Sequence, residues 1–510
     1  MKDEDLPYSA AGTYNPWLIA VIVSIATFME VLDSTIANVS LRHIAGSLAA
    51  SQDQSTYILT SYLVSNGIVV PISGWLANVI GRKRFYMLCV CVFTVSSVLC
   101  ATATSLPEML LWRVVQGLGG GGLAPVEQSI FTDTFPVRQR SMAYALYGFT
   151  VVLAPAIGPV LGGWLTDSFS WRWVFLINLP IGLLSLVLVG IFVVDSPALK
   201  DKRRKLLAEG LRVDYIGFAL VALGFGTLQL VLDRFEREGG WGTPFVNIYG
   251  SLAVVSLVTL MVWEWYNPQP VMNIRLLRIV PFAIGNVLMF SLGFMMLSST
   301  QLLPQMAQEL MGYDATTAGL TLGVAGIFTL LSMPLAGMIT GRLVQPRYLT
   351  AIAFAGIAGA MWYATGLRQH VGFWDLSAAR MLQAVWLPFV FIPINAVSMN
   401  GVPRDRSNEA SALVNLTRNL GGSVGISYAT TLLAYREQFH HARLAEHITP
   451  YNGYGAGVDL SAIAARVQTQ AVTMSYLDVF HVLFLVCLVA VPLSLCMPLL
   501  PKGAAAGGAH

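Results

Sequence analysis

Charge is what this sequence has least of. Of its 510 residues, 11% are Asp, Glu, Lys or Arg and 55% are hydrophobic, with a mean hydropathy of +0.65. A soluble domain carries roughly a quarter charged residues, so this balance excludes an ordinary soluble enzyme and points to a polytopic membrane chain. Cysteine is also scarce. Cys89, Cys91, Cys100, Cys487 and Cys496 all lie in apolar runs and none forms a Cys-x-x-Cys pair, which argues against a disulfide framework or a thiolate metal site. A net charge of +3 gives no reason to expect nucleic acid. Nucleophile motifs and a soluble catalytic domain are missing. The histidines of the longest polar segment (His440, His441 and His447) lack the carboxylate spacing that closes a metal site. The start, with Lys2 against Asp3, Glu4 and Asp5, has the wrong charge for a cleavable signal, so the first apolar run is expected to be a retained span.

Long apolar runs are what the chain has in quantity. Windows of about 19 residues place fourteen spans, near 16–38, 55–77, 85–104, 107–132, 139–165, 172–195, 213–233, 247–266, 279–301, 314–340, 348–366, 373–399, 407–433 and 478–500. With the N-terminus inside, the cytoplasmic segments hold 19 Lys and Arg and the outer loops 8. The positive-inside rule therefore sets both termini in the cytoplasm. The longest outer segment, near 434–477, reads at its start as a polar helix continuing span thirteen beyond the membrane.

A repeat appears at a spacing of 267 residues: Arg113-Val114-Val115-Gln116 matches Arg380-Met381-Leu382-Gln383, and Thr150 to Gly158 lines up with Thr417 to Gly425. Repeated halves are how many secondary transporters are built, with the site between them near the midplane. The reading divides the chain into 1–197, a linker and two inserted helices at 198–270, and 271–510. All-α architecture follows, because a lipid-exposed span must satisfy its own backbone.

A few charges sit inside these runs, where each costs several kcal/mol and so marks a use. Glu30 and Asp33, three residues apart, share one face of the first span. Arg113 in span four lies at about the same depth as Asp33, roughly 8–9 Å below the outer boundary at 1.5 Å per residue. Burial favours the neutral acid and a cationic neighbour the ionised one, so a site balanced between them can take up and release protons. Asp33, Glu30 and Arg113 are therefore the proton-coupling candidates, with attraction of a cationic substrate the rival role for Glu30. Secondary candidates are Glu127 near the inner end of span four, Arg418 at mid-span, Asn38, and Asp478 beside His481 at the start of span fourteen. The alternative for each is structural: an interfacial carboxylate for Glu127, a helix-holding guanidinium for Arg418, helix contacts for Asn38. Arg380 could be a relic of the repeat.

Four stretches resemble the major facilitator superfamily, in particular its fourteen-span drug:proton antiporter branch and the EmrB-like multidrug exporters of Gram-negative inner membranes. They are Leu32-Asp33-Ser34-Thr35-Ile36-Ala37-Asn38-Val39; Gly74-Trp75-Leu76-Ala77-Asn78-Val79-Ile80-Gly81-Arg82-Lys83-Arg84; Leu111-Trp112-Arg113-Val114-Val115-Gln116-Gly117; and Ala154-Pro155-Ala156-Ile157-Gly158-Pro159-Val160-Leu161-Gly162-Gly163. The resemblance implies two six-helix bundles plus two inserted helices, and proton-driven export of hydrophobic or amphipathic compounds. No cofactor beyond the proton gradient is implied. The implied partners are a periplasmic adaptor (EmrA-like) and an outer-membrane channel (TolC-like), docking near 434–477. It also makes Gly74, Asn78, Gly81, Arg82, Gln116, Gly117, Pro155, Gly158, Pro159, Gly162 and Gly163 conformational positions. Asn78 stands where the superfamily usually has Asp, which puts the ionic form of its interdomain lock in doubt. The competing expectation is a dedicated exporter of one metabolite, such as a fatty acid, peptide or siderophore. A membrane enzyme or receptor comes last.

Overall fold

The computed structural model describes residues 14–195, 197–208, 213–313, 315–340, 343–367, 372–400, 402–403, 406–448 and 460–499. Within them the chain is helical almost throughout. The first part comprises α1 (Pro16–Ser47), α2 (Gln52–Ile80), α3 (Arg82–Thr102), α4 (Leu106–Gly120), α5 (Leu123–Thr134), α6 (Val137–Ser168), α7 (Arg172–Leu176) and α8 (Asn178–Phe192). A short basic helix, α9 (Pro197–Ala208), leads to the hairpin α10 (Tyr215–Arg234) and α11 (Pro244–Tyr266). The last part is α12 (Val280–Met311), α13 (Ala315–Ile339), α14 (Pro346–Ala364), α15 (Phe373–Asn400), α16 (Ser407–Ala445) and α17 (Leu460–Leu495).

Local chemistry sets several boundaries. Pro16 opens α1 where its missing N–H costs nothing, and the Asn15 side chain accepts from the Trp17 amide at 2.9 Å. Ser51 and Gln54 form a reciprocal capping box at the start of α2. Gly81, at φ 96°, makes the turn from α2 into α3 that a side chain would strain.

Ten helices among the described residues are long and apolar enough to cross a membrane, and α6, bent by 43° near Pro155–Val160, makes an eleventh. The other expected spans are helical as well, but one is broken at Gly121–Gly122 between α4 and α5, one (α14) is less apolar, with Pro346, Arg347 and Tyr348 at its start, and α16 is polar. Apolar side chains cover the outside, with Val254 62%, Leu331 66% and Val489 68% exposed, while Asp33, Arg113, Glu127 and Gln128 are 0% exposed. This inversion of the soluble pattern is what a hydrocarbon solvent selects.

The repeat is visible in the packing. α1 lies along α6, and its counterpart α12 lies along α16. Small residues permit both contacts: a Cβ on Gly158 of α6 would stand 2.2 Å from Thr35 Oγ1 of α1, and one on Gly425, 267 residues later, 2.4 Å from the Phe294 carbonyl of α12. Gly158→Ala should therefore destabilise the first pair by about 1–3 kcal/mol, seen as a lower midpoint of thermal unfolding in detergent. Thr35→Gly in the same chain should recover part of the loss. Equal midpoints for wild type and Gly158→Ala would show that the contact is slack.

α10 and α11 pair with each other, and α10 also packs on α2 and α16, between the two halves. Beyond the apolar stretches, α16 runs on to Ala445 and α17 already begins at Leu460, so the helices flanking the 434–477 segment are longer than hydropathy alone indicated. Chain segment 449–459 and the tail beyond Leu499 lie outside the described residues.

Candidate functional site

α1 carries its two acids into different surroundings. Glu30 lines a central cavity of about 310 Å³ between the halves, whereas Asp33, one turn on, is sealed behind its wall. Glu30 Oε1 accepts from Tyr62 Oη at 2.8 Å and from Asn66 Nδ2 at 3.3 Å.

Asp33 is held from two helices, α4 and α8. Arg113 Nη1 of α4 donates to its Oδ2 at 2.7 Å, and Gln116 Nε2 and Asn178 Nδ2 donate to its Oδ1 at 3.0 and 2.6 Å. Arg113 also donates to Gln116 Oε1 at 2.7 Å and to the Ile58 carbonyl at 3.1 Å. Its guanidinium lies 4.6 Å from the centroid of Tyr62 and 5.5 Å from that of Phe175. Tyr62 therefore touches both acids' sites, with its hydroxyl on Glu30 and its face on the partner of Asp33. Gly117 lets α4 come this close, since a Cβ there would stand 2.0 Å from Ser65 Oγ on α2.

The remaining candidates scatter. Glu127 is buried beneath the cavity floor formed by Ala124 and Pro125, accepting from Ser24 Oγ at 2.5 Å, and does not line the cavity. Arg418 does line it and donates to Tyr147 Oη of the other half at 2.8 Å. Asp478 lies at the middle of α17, bonded to Arg436 and to His440 at 2.7 Å, and is no part of the central site. Asn38, little more than one turn beyond Asp33 on α1, is exposed. Pro155 lines the cavity, Gly162 packs on Ile36, and Pro159 and Gly163 continue α6.

Below the floor the halves are closed at the face bearing the basic loops. Arg82 bonds Asp133 in its own half and Asn408 in the other, and donates to Ser407 Oγ at 2.8 Å. Asn78 donates to Glu409 Oε1 at 3.1 Å and accepts from Asn408 Nδ2 at 2.6 Å. An amide thus replaces the usual acid, and the carboxylate of the lock comes from the opposite half. Gly74 brings the backbones together, since a Cβ there would stand 2.9 Å from the Asn408 carbonyl.

Tyr62, Asn66, Asn178 and Glu409 were not picked out from the sequence. Asn178 and Asn66 carried a weak signal, as amides within apolar helices. Tyr62 and Glu409 carried none that separates them from ordinary interfacial residues.

Two pseudo-symmetric helical halves around a cavity, with buried charges on one wall and an interlocked seal beneath, define a membrane transporter rather than an enzyme. The chain belongs to the Major Facilitator Superfamily, whose family profile matches residues 23–426, and within it to the EmrB-like multidrug exporters. It is 38% identical over 437 residues to the multidrug export protein EmrB of Haemophilus influenzae, covering 85% of this chain and 84% of that protein. It is 33% identical over 456 residues to the fatty acid resistance protein FarB of Neisseria gonorrhoeae, covering 89% and 87%. Among solved structures, the proton:xylose symporter XylE superposes with a TM-score of 0.58 at 16% identity, over 94% of this chain and 96% of that one, a likeness of fold.

Proposed function

We propose that this exporter is a proton-coupled antiporter that moves hydrophobic and amphipathic compounds outward by alternating access, with the proton gradient as its sole energy source. The observation that carries the reading is the fully buried Asp33–Arg113 pair, closed off from a cavity whose own acid, Glu30, stands one helical turn away. An acid whose counter-charge and access both depend on helix positions can change its proton occupancy as the halves rock. The basic face is cytoplasmic on this reading, in the inner membrane, so the chain stands in a state closed toward the cytoplasm. The fourteen spans divide as 1–197, 198–270 and 271–510.

The test is proteoliposomes with an imposed pH gradient and ethidium as probe. Ethidium transport should follow the gradient and stop when nigericin collapses it. Transport indifferent to the gradient would overturn the coupling.

A tripartite assembly with a periplasmic adaptor and an outer-membrane channel is part of the same proposal. Its docking surface is the extension of α16 and α17, which Gln468 Nε2 ties together by donating to Glu437 Oε1 at 2.5 Å. Deleting 440–470 should abolish co-purification of the adaptor and leave membrane insertion intact. Retained co-purification would place the adaptor elsewhere. A second reading, export of one dedicated metabolite such as a fatty acid, is favoured by the name of the Neisseria relative. A resistance panel confined to fatty acids would select it.

A further inference from the structure

The repeat is broken at one chemically decisive point. The spacing of 267 that takes Arg113 to Arg380 and Gln116 to Gln383 takes Asp33 to Thr300. The contacts follow the repeat closely. Arg113 Nη1 meets Gln116 Oε1 at 2.7 Å, and Arg380 Nη1 meets Gln383 Oε1 at 2.6 Å. Arg113 meets Asp33 at 2.7 Å, and Arg380 Nη2 meets Thr300 Oγ1 at 2.7 Å. In the first half the guanidinium is neutralised. In the second, its side-chain partners are Thr300, Gln383 and Ser299 Oγ at 3.1 Å, all uncharged, and among the described residues no carboxylate pairs with it.

The two arginines also differ in access. Asp33, Arg113 and Gln116 are sealed, but Arg380 and Thr300 line the central cavity. The charged side chains on that lining are Glu30 from the first half and Arg380 and Arg418 from the second, so the cavity carries an excess positive charge on its second-half wall. Around it the wall is apolar, with Met296, Leu297, Leu322 and Leu387. Nη1 is spent on Gln383 and Ser299 and one Nη2 hydrogen on Thr300, which leaves the Nε and second Nη2 hydrogens of the guanidinium edge for a carboxylate, and a charge-assisted pair is strong in a low-dielectric cleft.

We propose that Arg380, flanked by Thr300 and Ser299, is an anion-receiving site of the cavity and takes the headgroup of amphipathic monoanions, a ligand's carboxylate occupying the place that Asp33 fills in the twin half. Arg418 adds charge to the same wall, and the apolar lining takes the ligand's chain. The proposal rests on the reading of the cavity as the substrate site but not on proton coupling.

The test measures binding to the full chain in nanodiscs, without a gradient, of decanoate, with decylammonium and 1-decanol as controls of matching chain length, each corrected for empty nanodiscs. Arg380→Gln should weaken decanoate by about tenfold or more and leave the other two ligands unchanged. Arg380→Lys should keep much of the affinity. Thr300→Asp is the second probe, because it restores the arrangement of the twin half and supplies Arg380 with an internal carboxylate. It should also lose decanoate selectively, and decides the matter alone if Arg380→Gln does not assemble. Decanoate bound equally by wild type and Thr300→Asp, or a parallel loss of all three ligands, overturns the site. The readout is equilibrium binding without a gradient, so failure of the coupling reading leaves this result standing.

Discussion

Asp33→Asn is expected to abolish pH-gradient-driven export while the protein still inserts in the membrane. The substitution keeps the size of the side chain and so preserves the space between α1, α4 and α8, but Arg113 loses its only described anionic partner at 0% exposure. Leaving a buried charge uncompensated costs about 3–5 kcal/mol, so some stability goes as well, and surviving protein must be quantified. The discriminating measurement compares two modes in the same proteoliposomes: gradient-driven ethidium transport, and ethidium exchange without a gradient. Loss of the first with survival of the second assigns Asp33 to coupling. Gradient-driven export at the wild-type rate would remove it from that role.

Gly74→Val is the second large effect expected. The α2 and α16 backbones approach so closely there that even a Cβ would sit 2.9 Å from both the Asn408 carbonyl and Glu409 Cα. A neighbour built of backbone cannot rotate away, so a branched side chain holds the basic-face seal open. Overpacking of about 1–3 kcal/mol shifts the ratio of closed to open molecules by about 5- to 150-fold. Spin labels at the exposed positions 84 and 406, with Cys91 and Cys496 replaced by Ala, should report a longer distance than in the wild-type background. Transport should fall in proportion while ligand binding persists. An unchanged distance distribution would mean that the seal yields elsewhere.

These predictions separate two layers of the molecule. Arg82, Asn78, Asn408 and Glu409 hold the seal by hydrogen bonds that cross between halves, and Asn415 Nδ2 to Gln128 Oε1 at 2.9 Å adds another bond under the cavity floor. The Asp33–Arg113 pair, in contrast, lies wholly within the first half. The buried ion pair and the seal are thus distinct structures, linked through α2, which carries both the Ile58 carbonyl that Arg113 meets and Asn78. Variants in one can be read without directly breaking the other.

Sequence by itself determined the membrane character, the helical class, the repeat and the principal buried charges. The reason is that hydrocarbon penalises each charge and unpaired backbone group separately, and such one-body costs can be read residue by residue. Equal depth was enough to suggest that Asp33 and Arg113 share a space. Which of the two neighbouring acids faces the cavity is a different kind of fact. Glu30 lines the cavity and Asp33 is sealed because Tyr62, Asn66, Gln116 and Asn178 converge from α2, α4 and α8, and convergence of separate helices has no signature along the chain. The same holds for Asn78, whose partners come from residues 408 and 409. It holds most clearly for Arg380. As a string it is a copy of Arg113 whose register partner is Thr300 in place of an acid, and only the packing reveals that the copy opens on the cavity.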